Sequence, residues 1–219
     1  GDLTGREIKG KDFLAESDFE SLKKMLIERD FSNEKIIEKR IDFLDFDRYK
    51  IKGSIIDIGG GGESVVERKF GNMVFASDKS LRELEKTKND SFKTASDGRF
   101  LAFKNESFDN CTAFFSFMYM PVKTRTEAMK EVNRVLKKRG MFYIFEPKVL
   151  CRKYEPITLL TVKLKIKVNS HLISAAYGSI LAKNGQTISH FKKIAGISGF
   201  SFEKSENFKS YFAIVFRKI

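Results

Sequence analysis

The chain has 219 residues, 42% of them hydrophobic and 13% aromatic, with 22 Phe, no Trp and a formal net charge of +12. That length suits one well-filled domain, and the composition excludes a disordered, collagenous or disulfide-built protein. No apolar run approaches membrane-spanning length and the opening GDLTGREIKGKDF is charged where a signal peptide is apolar, so the expectation is a cytoplasmic protein with no membrane partner.

Between Asp12 and about Phe46, apolar residues at Phe19, Leu22, Met25 and Leu26, then at Ile36, Ile37, Ile41 and Leu44, fall at helical spacing in two pieces broken near DFSNEK. This predicts an N-terminal helical arm over 1–50. SIIDI predicts a buried strand, four glycines a turn, and ESVVERKF a short helix. NMVFASD is a second strand ending in an acid, LRELEKTK a helix, SFKTASD a third strand and SFDNCTAFFSF a fourth, apolar enough to be buried on both faces. Ala128, Met129, Val132, Val135 and Leu136 make one helical face over 126–138, with Gly140 as its stop. MFYIFEP is a fifth strand, so residues 53–147 read as an α/β core with a largely parallel sheet.

Residues 148–186 mix two signals. TVKLKIKV alternates like an amphipathic strand with Lys163, Lys165 and Lys167 on one side, whereas the flanking ITLL and HLISAAYGSIL look helical. The expectation is a small, partly helical lid that carries substrate contacts. Thr187 caps a helix over ISHFKKIAGIS, Gly199 ends it, and FSFEK and YFAIVFRK close the chain as two strands over 187–219. No internal repeat interrupts this single domain.

The run SIIDIGGGGES carries the functional signal. Bare backbone between a buried strand and a helix lets the chain approach a ligand closely, with the first N–H groups aimed at it. Asp78 ends the next strand, where an acid suits the two hydroxyls of a ribose. An adenosine-bearing cofactor follows, but the loop fits neither common template: the dinucleotide pattern would need Gly where Ser64 stands, and G-x-G-x-G would need Gly where Glu63 stands. Cys111 and Cys151 lack a second Cys or a His at ligand spacing, so no metal is expected.

Taken in order, IIDIGGGGE, VFASDKS, TASDGRFLAFKNESFDNCTAFFSFMYM, EAMKEVNRVLKKRGMFYIFEP and TISHFKKIAGISGF resemble the class I S-adenosylmethionine-dependent methyltransferases, particularly the small ubiquinone-biosynthesis-like (methyltransferase type 11) group. The resemblance runs from about Gly53 to Arg217, with 148–186 unmatched. It implies a Rossmann-like α/β fold with seven strands, mostly parallel, helices on both faces and an antiparallel last strand. It implies that Asp57, Gly59, Gly60 and Gly61 form the methionine-side loop, that Asp78 with Lys79 lies at the ribose, that Asp97 and Gly98 hold the adenine amino group, and that Phe115 and Ser116 face the methyl donor. Glu63 departs from the pattern by standing where the family has its third glycine. A carboxylate there either pairs with the cofactor's ammonium or sulfonium or points to solvent.

Methyl transfer is an in-line displacement, so alignment and exclusion of water matter most and a base is optional. Candidate bases by position are Tyr119, Glu146 and His171, with Tyr177 beside them in the lid. Each also has a structural reading: Tyr119 as pocket wall, Glu146 as a partner for backbone at a strand end.

As for partners, the charge is uneven: residues 1–120 carry 21 basic and 23 acidic groups, 121–170 carry 13 and 4, and 171–219 carry 7 and 2. A basic C-terminal half suits a nucleic acid or acidic protein, or it is a solvated lysine face, the commoner case. With no added binding module, a small-molecule methyl acceptor is expected and nucleic acid is not favoured. A non-catalytic cofactor-binding partner protein is the remaining alternative. Oligomeric state is not legible.

Overall fold

A strand buried on both faces must be apolar throughout, and Ile55–Ile58 (β2) meets that condition with all four residues buried. A computed structural model describes residues 38–87, 89–148, 158–181 and 186–219, and sets β2 in the interior of a seven-stranded sheet. In chain order the other strands of that sheet are Val74–Asp78 (β3), Phe92–Ala95 (β4), Phe108–Phe114 (β5), Leu136–Pro147 (β6), Phe200–Asn207 (β9) and Tyr211–Lys218 (β10). Their spatial order is β4-β3-β2-β5-β6-β10-β9. Pairs from β4 through β6 are parallel, and β10 runs antiparallel to both β6 and β9.

The strand order reverses between β3-β2 and β5, the switch point beside which open α/β sheets bind ligands at their carboxyl ends. Helix α1, Val65–Phe70, lies on one face, while α3, Val122–Val135, and α4, Ile188–Ile197, cover the other; α2, Leu81–Glu85, follows β3. Two apolar clusters result. Ile56, Ile58, Phe142 and Ile144 pack with Ala128, Met129, Val132, Phe191 and Ile194 of α3 and α4. On the opposite face, Phe46 touches the rings of Tyr49, Phe70, Phe114 and Phe145 at centroid separations of 5.6–6.2 Å.

Three differences from expectation have physical causes. Residues Glu38–Asp45 form a strand, β1, where the apolar spacing predicted the end of a helical arm. β1 pairs in parallel with Thr158–Val168 (β7), and β7 pairs antiparallel with His171–Leu181 (β8), making a separate sheet of order β1-β7-β8. Inter-strand pairing thus overrides a local period of three to four. The predicted first helix, around Phe19–Leu26, lies outside the described residues.

The expected partly helical lid is likewise a β-hairpin in its described part. Its alternation decides the matter: Val162, Leu164, Ile166 and Val168 join the Phe46 cluster, while Lys163, Lys165 and Lys167 occupy the other face. Finally, α3 stops at Val135, before Gly140, because Leu136 already has extended dihedrals (φ −74°, ψ 141°) and starts β6. Gly140 serves a close approach instead, since a Cβ there would lie 3.0 Å from the Asp109 carbonyl oxygen.

Candidate functional site

Asp57, next to last in β2, is buried and its Oδ1 accepts the Thr112 hydroxyl across from β5. The glycines that follow are needed twice over. Gly59 and Gly62 have φ of +77° and +74°, open mainly to glycine. Gly60 and Gly61 have no room for a side chain: a Cβ on Gly60 would lie 2.9 Å from the Ala76 Cβ, and one on Gly61 would lie 2.5 Å from the Glu83 Cβ. The loop therefore folds tightly over β3 and α2.

The loop's own N–H groups go to the protein. Gly59 and Gly60 donate to the Ser77 carbonyl at 2.6 and 3.2 Å, and Gly61 donates to Asp78 Oδ2 at 3.3 Å. Asp78, at the end of β3, also accepts the Ser80 N–H through Oδ1 at 2.9 Å and is 6% exposed. Neither Asp78 nor the exposed Lys79 lines the cleft beside the loop. Asp97 is held by a guanidinium fork, with Arg99 Nε and Nη2 donating at 3.0 and 2.8 Å, and this pairing holds its carboxyl below the usual carboxylate range. Gly98 has space for a side chain, its nearest neighbours being Ile58 and Met120 at 3.4 Å.

The cleft is lined by Asp57, Gly59, Gly61, Gly62, Glu63, Ser64 and Val65 on the loop side, and by Phe114, Phe115, Tyr119 and Tyr177 opposite. Phe115 follows β5 with φ of +51°, a conformation that costs a bulky residue on the order of 1–3 kcal/mol and marks a functional turn. Its N–H donates to the Phe145 carbonyl at 2.7 Å, and its ring stacks on Tyr177 of β8 at 4.5 Å. The small sheet thus supplies one wall of the cleft. Burial pushes the Tyr119 and Tyr177 hydroxyls well up, and the Glu63 carboxylate is the strongest charge reinforcing that shift in both. Both phenols therefore hold their protons more tightly than an ordinary tyrosine.

Glu146, the third sequence candidate at the end of β6, lies behind the cleft. It is fully buried, and its oxygens accept from the N–H groups of Phe117 at 2.6 Å and Met118 at 3.1 Å and from the Gln186 amide. Burial pushes its carboxyl up to about 7, against the pull of these donors and of Arg125. Its contacts make it the anchor of the 3-10 turn Phe117–Tyr119, which carries Tyr119 into the cleft. His171 departs most from expectation. It is exposed at the β7–β8 turn, where the neighbouring Asn169 and Ser170 N–H groups bind the Asp47 carboxylate, and it is outside the cleft lining.

The sequence reading missed Ser64, Val65 and Phe114 as lining, and gave Tyr177 as a candidate base in the lid. Two-residue alternation through the hairpin was the signal for Tyr177. Among the described residues no group of three His, Cys, Asp or Glu is placed to hold a metal, and no helix is long and apolar enough to cross a membrane.

For a sulfonium-bearing cofactor the donor set fits. Carboxylates and aromatic rings line the cleft without a Lys or Arg among the described lining residues, and a cation is stabilised by both. Ser116 Oγ, buried next to Phe115, has no hydrogen-bond partner among the described residues, and Ser116 is not part of the cleft lining. The adenosine half fits less directly, since Asp78 and Asp97 already hold partners.

Comparison with known proteins bears on the fold. Residues 56–144 match the family described as "Methyltransferase domain". An uncharacterized protein of Methanocaldococcus jannaschii is 37% identical over 110 residues, 49% of this chain; the match spans only 39% of that relative's length. Among solved structures, an S-adenosylmethionine-dependent methyltransferase of Methanosarcina mazei aligns with a TM-score of 0.54 at 16% identity, over 80% of this chain and 99% of its own. A protein of Pyrococcus horikoshii aligns at 0.53 and 15%, over 93% and 92%. The [4+2]-cyclase SpnF aligns at 0.54 and 14%, over 78% of each chain, so this fold by itself does not fix the reaction.

Proposed function

From a methyltransferase domain over 56–144, set in the fold of the class I S-adenosylmethionine-dependent methyltransferases, we propose that this chain transfers a methyl group to a small-molecule acceptor. The observation that carries the reading is the cleft itself: a glycine loop and two carboxylates face four aromatic rings at the carboxyl ends of β2 and β5. S-adenosylmethionine supplies a methyl group already activated on a positive sulfur.

Asp57, Gly59, Gly60 and Gly61 cradle the methionine half, and Phe115 and Ser116 lie at the methyl. Asp78 and Lys79 meet the ribose, and Asp97 and Gly98 the adenine, once Asp78 exchanges the Gly61 N–H and Asp97 exchanges Arg99 for the ligand. Tyr119 and Tyr177 exclude water and orient the acceptor, so alignment supplies most of the rate. Glu146 acts from behind by fixing the turn that bears Tyr119. Since both phenols hold their protons, the acceptor presents a nucleophile that needs no strong base.

The acceptor is small because the hairpin wall leaves a narrow cleft, and because the lysines of β7 face away from it on the outer side of the small sheet. Tritiated-methyl S-adenosylmethionine incubated with the chain and fractionated cell extract tests this. Label is expected in the small-molecule fraction; label confined to RNA or protein contradicts it.

A further inference from the structure

We propose that Tyr177 is a gate on the cleft: its ring fills the space against Phe115, and the cofactor enters only after that ring has turned away. The proposal rests on the cofactor reading above and gives a role to the small sheet, whose strand β8 carries Tyr177.

Between the glycine loop and the four rings, a water-sized body has about 20 Å³ to move in, room for about one water. A nucleoside-bearing ligand is many times larger. The ring that takes up the room is Tyr177, which is 5% exposed and lies over Phe115 with 4.5 Å between centroids and 24° between planes. Phe114 approaches the same ring at 5.9 Å. Such a stacked pair has to separate before a ligand can lie against Phe115.

The sheet behind the ring is held in place, so the side chain is the part that yields. Leu164 and Ile166 of β7 and Ala175 of β8 pack in one cluster with Phe46, Phe114 and Phe145. At the β7–β8 turn, the Asp47 carboxylate accepts the N–H groups of Asn169 at 2.7 Å and Ser170 at 2.9 Å, and the Asn169 amide donates to the Arg68 carbonyl oxygen of α1 at 2.7 Å. The hairpin is thereby tied to the helix that leaves the glycine loop. Moving the whole sheet would break all of these contacts, whereas turning one side chain gives up only the packing of its ring. Association then has two steps, opening followed by binding, and at high ligand concentration opening sets the observed rate.

Stopped-flow tyrosine fluorescence of the full chain mixed with S-adenosylmethionine tests this, since the chain has six Tyr and no Trp. In the unmodified chain the observed rate is expected to level off as cofactor concentration rises, and Tyr177→Phe, which keeps the ring, should behave the same way. Tyr177→Ala should make the rate proportional to concentration and raise it about tenfold, the upper end of what one stacked pair is worth. Tyr177→Leu, which fills the core without a ring to stack, should do the same and guards against misfolding of the Ala variant. A rate proportional to concentration in the unmodified chain, or a plateau kept in both the Ala and Leu variants, overturns the gate and leaves the cofactor reading standing. Failure of the unmodified chain to bind S-adenosylmethionine in isothermal titration overturns both.

Discussion

Replacing Glu146 by Leu removes the one carboxylate that accepts from Phe117 N–H, Met118 N–H and the Gln186 amide, deep behind the cleft. Each donor stranded in a buried site costs about 1–3 kcal/mol. Arg125, only 2% exposed, also loses the favourable pull of that charge. With three donors stranded the expected loss of stability is about 3–5 kcal/mol, a large part of the ~5–15 kcal/mol typical of a domain. Urea unfolding at neutral pH, followed by circular dichroism, reads it as a lower midpoint at unchanged slope.

The same residue gives a pH signature. Burial holds its carboxyl at about 7 in the folded chain, above the unfolded carboxyl range near 4. Between those values the folded state keeps a proton that the unfolded state has released. Its contribution is therefore full below the unfolded value and is lost as pH rises through about 7. At about 1.4 kcal/mol per unit the total is on the order of 4 kcal/mol. Glu146→Gln, which carries no titrating proton, should flatten that part of the stability profile. A Leu variant within about 1 kcal/mol of the parent, or a Gln variant that keeps the slope, would refute the anchoring role.

Gly61→Ala forces a methyl to within 2.5 Å of the Glu83 Cβ, so it should cost about 1–3 kcal/mol and weaken S-adenosylmethionine binding at least tenfold by titration. Arg99→Ala releases Asp97 from its guanidinium fork and should tighten cofactor binding several-fold; weaker binding would mean that Asp97 is not the adenine partner. Arg139 is exposed with φ of +61°, so Arg139→Gly should stabilise the fold by about 1 kcal/mol in the same urea assay without changing ligand affinity.

Much of the main sheet was legible because its strands are apolar on both sides and its punctuation is strong. SIIDI, VFASD, MFYIFEP and YFAIVFRK all fall on strands, and Thr187 caps α4 by accepting the His190 N–H at 3.1 Å. The small sheet was not legible, since β1 gains its identity only by pairing with β7, more than a hundred residues away. Its apolar residues also mislead: Ile41 falls on one helical face with Leu44, yet it is 63% exposed while Leu44 is buried.

The site divides in the same way. The glycine loop was readable from local pattern and Phe115 from the family resemblance, and both lie on the cleft. What spacing could not reveal is where hydrogen-bonding capacity goes: Asp78 to the loop, Asp97 to Arg99, Glu146 to a backbone turn. His171 looked well placed in sequence only because its hairpin was read as part of a helical lid.

The measurement that bears most directly on the account is isothermal titration of the purified chain with S-adenosylmethionine, with NAD run in parallel. Saturable one-site binding of S-adenosylmethionine, lost in Gly61→Ala and absent for NAD, is the predicted result. Binding of NAD alone, or S-adenosylmethionine binding indifferent to Gly61→Ala, would contradict the assignment of this cleft.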